Sequence, residues 1–219
     1  MRHLKAITPL LILFSLINPS LAEIGSIESL NGKGAIERNN ERIPGSPGMP
    51  VESYDAAITA KGSMRIVFVD DTEVEVTAHS RLVIDEFVYD PAADQGSLGI
   101  SASLGTVKYA SGQIAKKYRQ NVNIETPSAT IGVRGTDFAM IVDEMGSSAI
   151  TLLPSCQANQ REEKLECFVG EIEVTTPVGQ VIMNQAFQTT VIDTATTAPT
   201  APVILDIDAS QIGNMLIVQ

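Results

Sequence analysis

The sequence predicts an all-β fold, a two-layer β-sandwich or short β-roll of many short antiparallel strands with little helix. Three observations carry that expectation. Short runs alternate apolar and polar residues at the two-residue period of a half-buried strand. Turn-forming clusters such as Pro44-Gly45-Ser46-Pro47-Gly48 separate those runs at short intervals. A helical turn is suggested inside the domain only over residues 113–119. With 5% aromatics and no Trp, the core must rest on Ile, Val, Leu and Ala.

The elements follow in chain order. Arg2, His3 and Lys5 precede an apolar run over residues 10–17, and Ser20-Leu21-Ala22 supplies small residues at a cleavage site. That is the pattern of a secretory signal peptide over residues 1–22, cut after Ala22. The apolar run is too short to span a bilayer, and no later stretch approaches the ~18 apolar residues of a membrane span. No transmembrane segment is therefore expected in the mature chain, and export places it in the periplasm or secreted at the cell surface.

Residues 23–193 read as one all-β domain, a length that a single core supports. Met64, Ile66 and Phe68 alternate with Arg65, Val67 and Val69. After Asp70-Asp71-Thr72 the alternation resumes with Val74 and Val76 against Glu73 and Glu75. Two such runs about a short Asp-rich turn predict a β-hairpin with one buried face. Further strands are predicted over residues 81–85, 98–104, 121–125, 138–142, 149–153, 167–175 and 180–183. Corners recur at Thr59-Ala60, Thr126-Pro127 and Thr176-Pro177, and at the last two the ladder donor that proline lacks suits a strand boundary. Residues 194–202 are all Thr, Ala and Pro, the composition of a loose linker. Residues 203–219 form an apolar tail, read as a short strand and then a small helix capped by Asp208 or Ser210.

Charge and composition narrow the chemistry. The chain carries a net charge of −11, and loss of Arg2 and Lys5 with the leader makes it more acidic still. Nucleic acid is not an expected partner, because its affinity comes mostly from cations set against phosphates. His79 is the one histidine left after processing, which excludes a multi-histidine metal site, and no nucleophile elbow accompanies it. A calcium loop opening at Asp206 fails, with Gln211 where glycine is needed and Ile217 where a bidentate Glu is needed. No catalytic residue, metal or cofactor is expected. Carboxylates are numerous enough for a glycosidase pair, but aromatic platforms are scarce, so a glycan-acting hydrolase ranks last.

Three groups of residues stand out. Cys156 and Cys167 lie in the exported part, where a disulfide is the default, a staple worth somewhat under ~3 kcal/mol for so short a loop. Lys108, Lys116, Lys117 and Arg119, interleaved with Tyr109 and Tyr118, could grip an anionic polymer or simply balance nearby acids on a solvated face. The stretch "TPSATIGVRGTDF", residues 126–138, sets Arg134 between Gly132 and Gly135 and follows it with Thr136 and Asp137. Ala129, Ile131 and Val133 alternate, so Arg134 points to the opposite side, and Gly135 permits a bulge or a positive φ. Arg134 then suits a hydrogen-bonding clamp onto neighbouring carbonyls or onto Asp137, Asp85 or Asp55. The functional alternative is an exposed arginine that reads a carboxylate or phosphate ligand.

These segments carry a family resemblance. "IETPSATIGVRGTDF" (residues 124–138) resembles the signature of the FecR domain family, and residues 56–76 resemble its first hairpin. "LVIDEFVYDP" (residues 82–91) and "SGQIAK" (residues 111–116) are similar to its secreted members, so the likeness spans about residues 50–143. The resemblance implies an extracytoplasmic all-β domain without known catalysis. The family's namesakes pass a surface signal through the inner membrane to a sigma factor. This sequence shows neither their cytoplasmic N-terminal domain nor their transmembrane helix, so direct control of a sigma factor is not expected. From Met145 onward no resemblance is found. The expected function is a non-enzymatic binding or sensing module for an envelope protein or glycan. The alternative is an assembly or adhesion module whose tail pairs with a partner's strand edge.

Overall fold

The computed structural model describes residues 23–159 and 164–206. The expected leader, and the helix and calcium-loop positions beyond residue 206, lie outside the described residues. Within them the chain is all-β, with one short helix and one 3-10 turn.

β1 (Glu23–Arg38) pairs with β4 (Ala56–Phe68) from Gly25↔Phe68 to Glu37↔Ala56. Alternation does not announce β1, because Asn31, Gly32, Lys33 and Gly34 interrupt it. Gly32 faces Gly62, with φ of +81° and +114°, and a Cβ on either would meet a carbonyl oxygen at 2.0 or 1.8 Å. Both strands kink together where only glycine fits. The corner expected at Thr59-Ala60 is therefore not a strand end, since β4 bends there and continues. The corners at Pro127 and Pro177 do separate strands. β2 (Glu41–Pro44) and β3 (Pro50–Glu52) each pair with β1.

The predicted hairpin forms as expected, with β5 (Glu73–Val76) returning along β4 and Met64, Ile66, Phe68, Val74 and Val76 buried. β6 (Arg81–Asp90) leads to β7 (Gln95–Ala110), which pairs with β5, β6, β8 (Val122–Glu125) and β10 (Asp137–Val142). The β7–β8 ladder is parallel, and that departs from an all-antiparallel expectation. Between them lie α1 (Gln113–Lys117) and a 3-10 turn (Arg119–Asn121), where the helical turn was expected from the sequence. β9 (Thr130–Arg134) and β11 (Ser148–Leu153) follow. Next come β12 (Ser155–Asn159) and β13 (Lys164–Phe168), then β14 (Glu171–Thr176), β15 (Gly179–Met183), β16 (Gln188–Ile192) and β17 (Val203–Ile204). The run expected over residues 167–175 is thus two strands, broken at Gly170.

Apart from the β12–β13 hairpin, the described strands join one continuous sheet, which favours the roll over two separate stacked sheets. It encloses a single core in which Tyr109 meets Phe138 (ring centroids 5.2 Å apart) and Phe68 stacks on Phe87 (5.3 Å). The Thr/Ala/Pro segment is not a loose linker. Thr200 donates its N–H to the Val191 carbonyl (3.0 Å), and its hydroxyl accepts the Val191 N–H (2.9 Å). Thr190 Oγ1 donates to the Thr200 carbonyl (2.7 Å), and Ala198 sits against Gly179. Threonine hydroxyls supply bonds that composition hides. The chain then enters β17, so the first residues of the apolar tail pair with their own β16.

Candidate ligand cleft at Arg134

β9 buries Ile131 and Val133 and sends Arg134 to the outer face, as its alternation predicts. Across the ladder Arg134 faces Glu171 of β14, and its Nη1 meets Glu171 Oε1 at 2.6 Å, with Glu173 3.6 Å away. The side chain is half exposed, at 51%. Arg134 is thus a surface cross-strand ion pair, and among the described residues its partners are Glu171 and Glu173, not the carbonyls or aspartates expected of the clamp. Of its expected partners, Asp55 pairs with Arg38, Asp85 accepts from Ser101, and Asp137 accepts from the Ser111 backbone. Exposed pairs of this kind contribute about 0.2–1 kcal/mol. Arg134→Ala should therefore cost no more than that in a urea unfolding curve.

The lock lies in the two residues after Gly135, whose φ of +65° turns the chain. Thr136 Oγ1 accepts the Gly170 N–H (3.2 Å) and donates to the Leu153 carbonyl (3.4 Å), while the Thr136 carbonyl accepts the Ser111 hydroxyl (2.6 Å). The Asp137 carboxylate accepts the Ser111 N–H (3.1 Å), and both Thr136 and Asp137 are buried. Together they tie the ends of β7 and β11 and the start of β14 to the start of β10. Gly132, by contrast, could carry a Cβ in ordinary contact, with Glu173 the nearest residue at 3.9 Å.

Burial pushes the Asp137 carboxyl above its ordinary range, and the bond from the Ser111 N–H and the charge of Lys116 offset only part of that. The folded state then holds this proton more tightly than the unfolded chain does. Ionisation costs stability above the folded pKa, and the cost fades as pH falls toward the ordinary carboxylate value of about 3.9. Asp137→Asn keeps the acceptor for Ser111. It should melt higher than the wild type at neutral pH, and the difference should shrink toward zero in melts near pH 4.

The basic stretch divides. Lys108 reaches Glu75 at 3.0 Å and Lys117 reaches Asp94 at 2.7 Å, so these two balance acids. Lys117 also lies over the Tyr118 ring, 5.0 Å from its centroid, and it holds Asp94 below the usual carboxylate range. Tyr109 is core rather than surface. Lys116 and Arg119 behave differently. Asp70 anchors the start of α1, its carbonyl accepting the Gln113 N–H (2.7 Å) and its carboxylate the Ile114 N–H (3.0 Å). The following turn brings Lys116 beside Gly135. Arg119 joins Arg134, Gly135, Val169, Gly170, Glu171 and Asn184 in lining an open cleft of ≈ 720 Å³. Among the described residues no acid forms an ion pair with Lys116 or Arg119. The far wall, Val169 to Glu171 and Asn184, has no local sequence signal, because only the β9–β14 ladder brings it to Arg134.

Cys156 and Cys167 are bonded, directly opposite each other on β12 and β13 with Cα atoms 4.1 Å apart, as expected. His79 sits in an exposed turn.

Residues 55–154 match the family model described as FecR protein. The chain carries a FecR domain. The match runs past residue 143 and takes in β11, which corrects the expectation that nothing beyond Met145 belongs to the family. The reason is physical: β11 pairs with β10 from Asp137↔Leu153 to Val142↔Ser148, and its Leu153 carbonyl accepts from Thr136. The FecR domain supplies Lys116, Arg119 and Arg134, and the strands after it supply the opposite wall. Two solved structures of a protein described as an anti-sigma factor, from Parabacteroides distasonis, resemble the chain at 12% identity. One has a TM-score of 0.45, covering 65% of this chain and 56% of that one; the other has 0.44, covering 66% and 57%. The chain thus spans a little over half the length of those structures. No curated protein matches it.

Proposed function

We propose that this protein is a non-enzymatic, extracytoplasmic sensing module whose FecR-domain cleft takes a carboxylate or phosphate displayed by an envelope glycan or protein. One observation carries the reading. On an acidic chain, Lys116, Arg119 and Arg134 gather around Gly135, and among the described residues neither Lys116 nor Arg119 forms an ion pair, although the charge of Lys116 reaches the buried Asp137. Arg134 is satisfied by Glu171 and Glu173, so Arg119 is the group an incoming anion completes. A guanidinium offers a bidentate fork to a carboxylate or phosphate, and the Asn184 amide can donate or accept beside it. The disulfide supports an oxidising compartment. The Glu171 and Glu173 carboxylates at the cleft are tied to Arg134.

The test is calorimetric titration with soluble muropeptides, which carry carboxylates, against neutral chito-oligosaccharides. Muropeptides should bind, with affinity falling as salt rises. Arg119→Ala should weaken that binding about tenfold or more at unchanged melting temperature. Equal affinity for the neutral sugar, or indifference to Arg119→Ala, would reject the cleft. Turnover of cell-wall fractions by the purified protein would reject the non-enzymatic reading. Capture from envelope extract by the wild type and not by Arg119→Ala then decides between a protein and a glycan.

A further inference from the structure

The large sheet has unequal edges. β2 carries Glu41, Arg42 and Pro44, β3 carries Pro50 and Glu52, and β17 is two residues long after Pro202. Charges, prolines and short length are the usual protections against edge-to-edge pairing. β15, Gly179-Gln180-Val181-Ile182-Met183, has none of them, and among the described residues it pairs with β14 alone.

Among the described residues its outer hydrogen-bonding groups have no partner. The two-residue connection Pro177-Val178 makes Thr176 and Gly179 the closing bonded pair of the hairpin. Alternation then bonds Val174 to Val181 and Ile172 to Met183, which aims the N–H and C=O of Gln180 and Ile182 away from β14. Gln180 is exposed, and Ile182 keeps 48% of its surface in solvent.

We propose that β15 is a self-association edge, at which a second copy of this chain adds its own β15 antiparallel about a twofold axis at Val181. In that register Gln180 faces Ile182 of the second copy and the reverse, and the outward N–H and C=O groups on each side meet. Charge selects a copy as the occupant. Most faces of so acidic a chain repel another copy, but at this joint no carboxylate meets a carboxylate. The row Gly132, Glu173, Ile182 continues into Gln180, Thr175 and Thr130 of the second copy, and Ile182 keeps Glu173 away from the joint. The axis stands perpendicular to the sheet, so both Arg134 clefts face the same way, and the second copy's Pro177-Val178 turn comes beside Asn184 at the cleft wall. An edge this short buries far less than the ~1,600 Å² of a standard interface, so the dimer is a transient one. This proposal stands independently of what the cleft binds.

Sedimentation velocity on the purified protein, over a series rising to about 1 mM, should show a reversible monomer–dimer equilibrium. Ile182→Lys, placed where Glu173 can accept the charge, should leave the melting temperature unchanged and the protein monomeric. Gln180→Cys and Ile182→Cys variants, mixed under mild oxidation, should cross-link to each other far more than either does alone. Several outcomes overturn the proposal: a monomer throughout the series, undiminished dimerisation of Ile182→Lys, or equal cross-linking of the unmixed variants. Dimerisation that appears only after deletion of residues 207–219 would also overturn it, by assigning the edge to the chain's own tail.

Discussion

Arg38→Ala is expected to lower the unfolding free energy by about 3–5 kcal/mol, the largest effect of any single charge removal in this protein. Arg38 leaves β1 with its guanidinium forked onto Asp55, Nε to Oδ1 at 2.8 Å and Nη2 to Oδ2 at 2.6 Å. Nη1 meets Glu52 at 2.6 Å, and Nη2 also reaches the Pro50 carbonyl at 3.1 Å. Asp55 has no solvent exposure at all. Removing the arginine leaves a buried carboxylate with the Glu52 N–H (2.9 Å) as its remaining hydrogen bond among the described residues, and β3 keeps its ladder to the start of β1 but loses its side-chain tie to the end of that strand. Arg38→Lys should recover only part of the loss, because an ammonium cannot bond both oxygens in the same plane. Urea unfolding measures this directly, and a change below about 1 kcal/mol would show the pair to be dispensable.

Asp70→Ala is expected to cost about 3 kcal/mol and to weaken the cleft as well. The Asp70 carboxylate accepts the Thr72 N–H (3.1 Å), the Thr72 hydroxyl (2.8 Å) and the Ile114 N–H (3.0 Å), all buried. The Thr72 hydroxyl in turn accepts the Gly112 N–H (3.2 Å). This cluster fits so closely that a Cβ at Gly112 would lie 2.3 Å from the Thr72 nitrogen. Loss of the carboxylate orphans three donors and leaves the start of α1 held only by the bond from the Gln113 N–H to the residue 70 carbonyl, which loosens the element that delivers Lys116 and leads into Arg119. Faster hydrogen exchange at Ile114, together with a lower unfolding midpoint, is the predicted signature. A destabilised protein whose Ile114 amide stays fully protected would contradict the anchoring role.

How much of this was legible depends on the range of the interaction. The β4–β5 hairpin was readable because Met64, Ile66, Phe68, Val74 and Val76 mark one buried face with nothing but a turn between them. β1 was not, because the glycines that let it kink against Gly62 also break its alternation. The direction of Arg134 followed from Ile131 and Val133, yet its partners did not. Glu171 and Glu173 arrive through the β9–β14 ladder, which no local pattern encodes. The same holds for the Arg38–Asp55 pair, which the end of the β1–β4 ladder, Glu37↔Ala56, brings together. Thr136 and Asp137 were grouped with Arg134 from sequence, and they prove to be the lock in its place, since β9 alternation turns Arg134 outward while the chain after Gly135 turns inward.

The cleft is the centre of the functional account, and backbone amide spectra recorded during titration with muropeptides test it most directly. The account predicts shifts concentrated at Arg119, Gly135, Gly170 and Asn184, abolished in Arg119→Ala. Shifts gathered instead along the groove of Asp85, Glu86 and Glu125, or spread without focus, would contradict it.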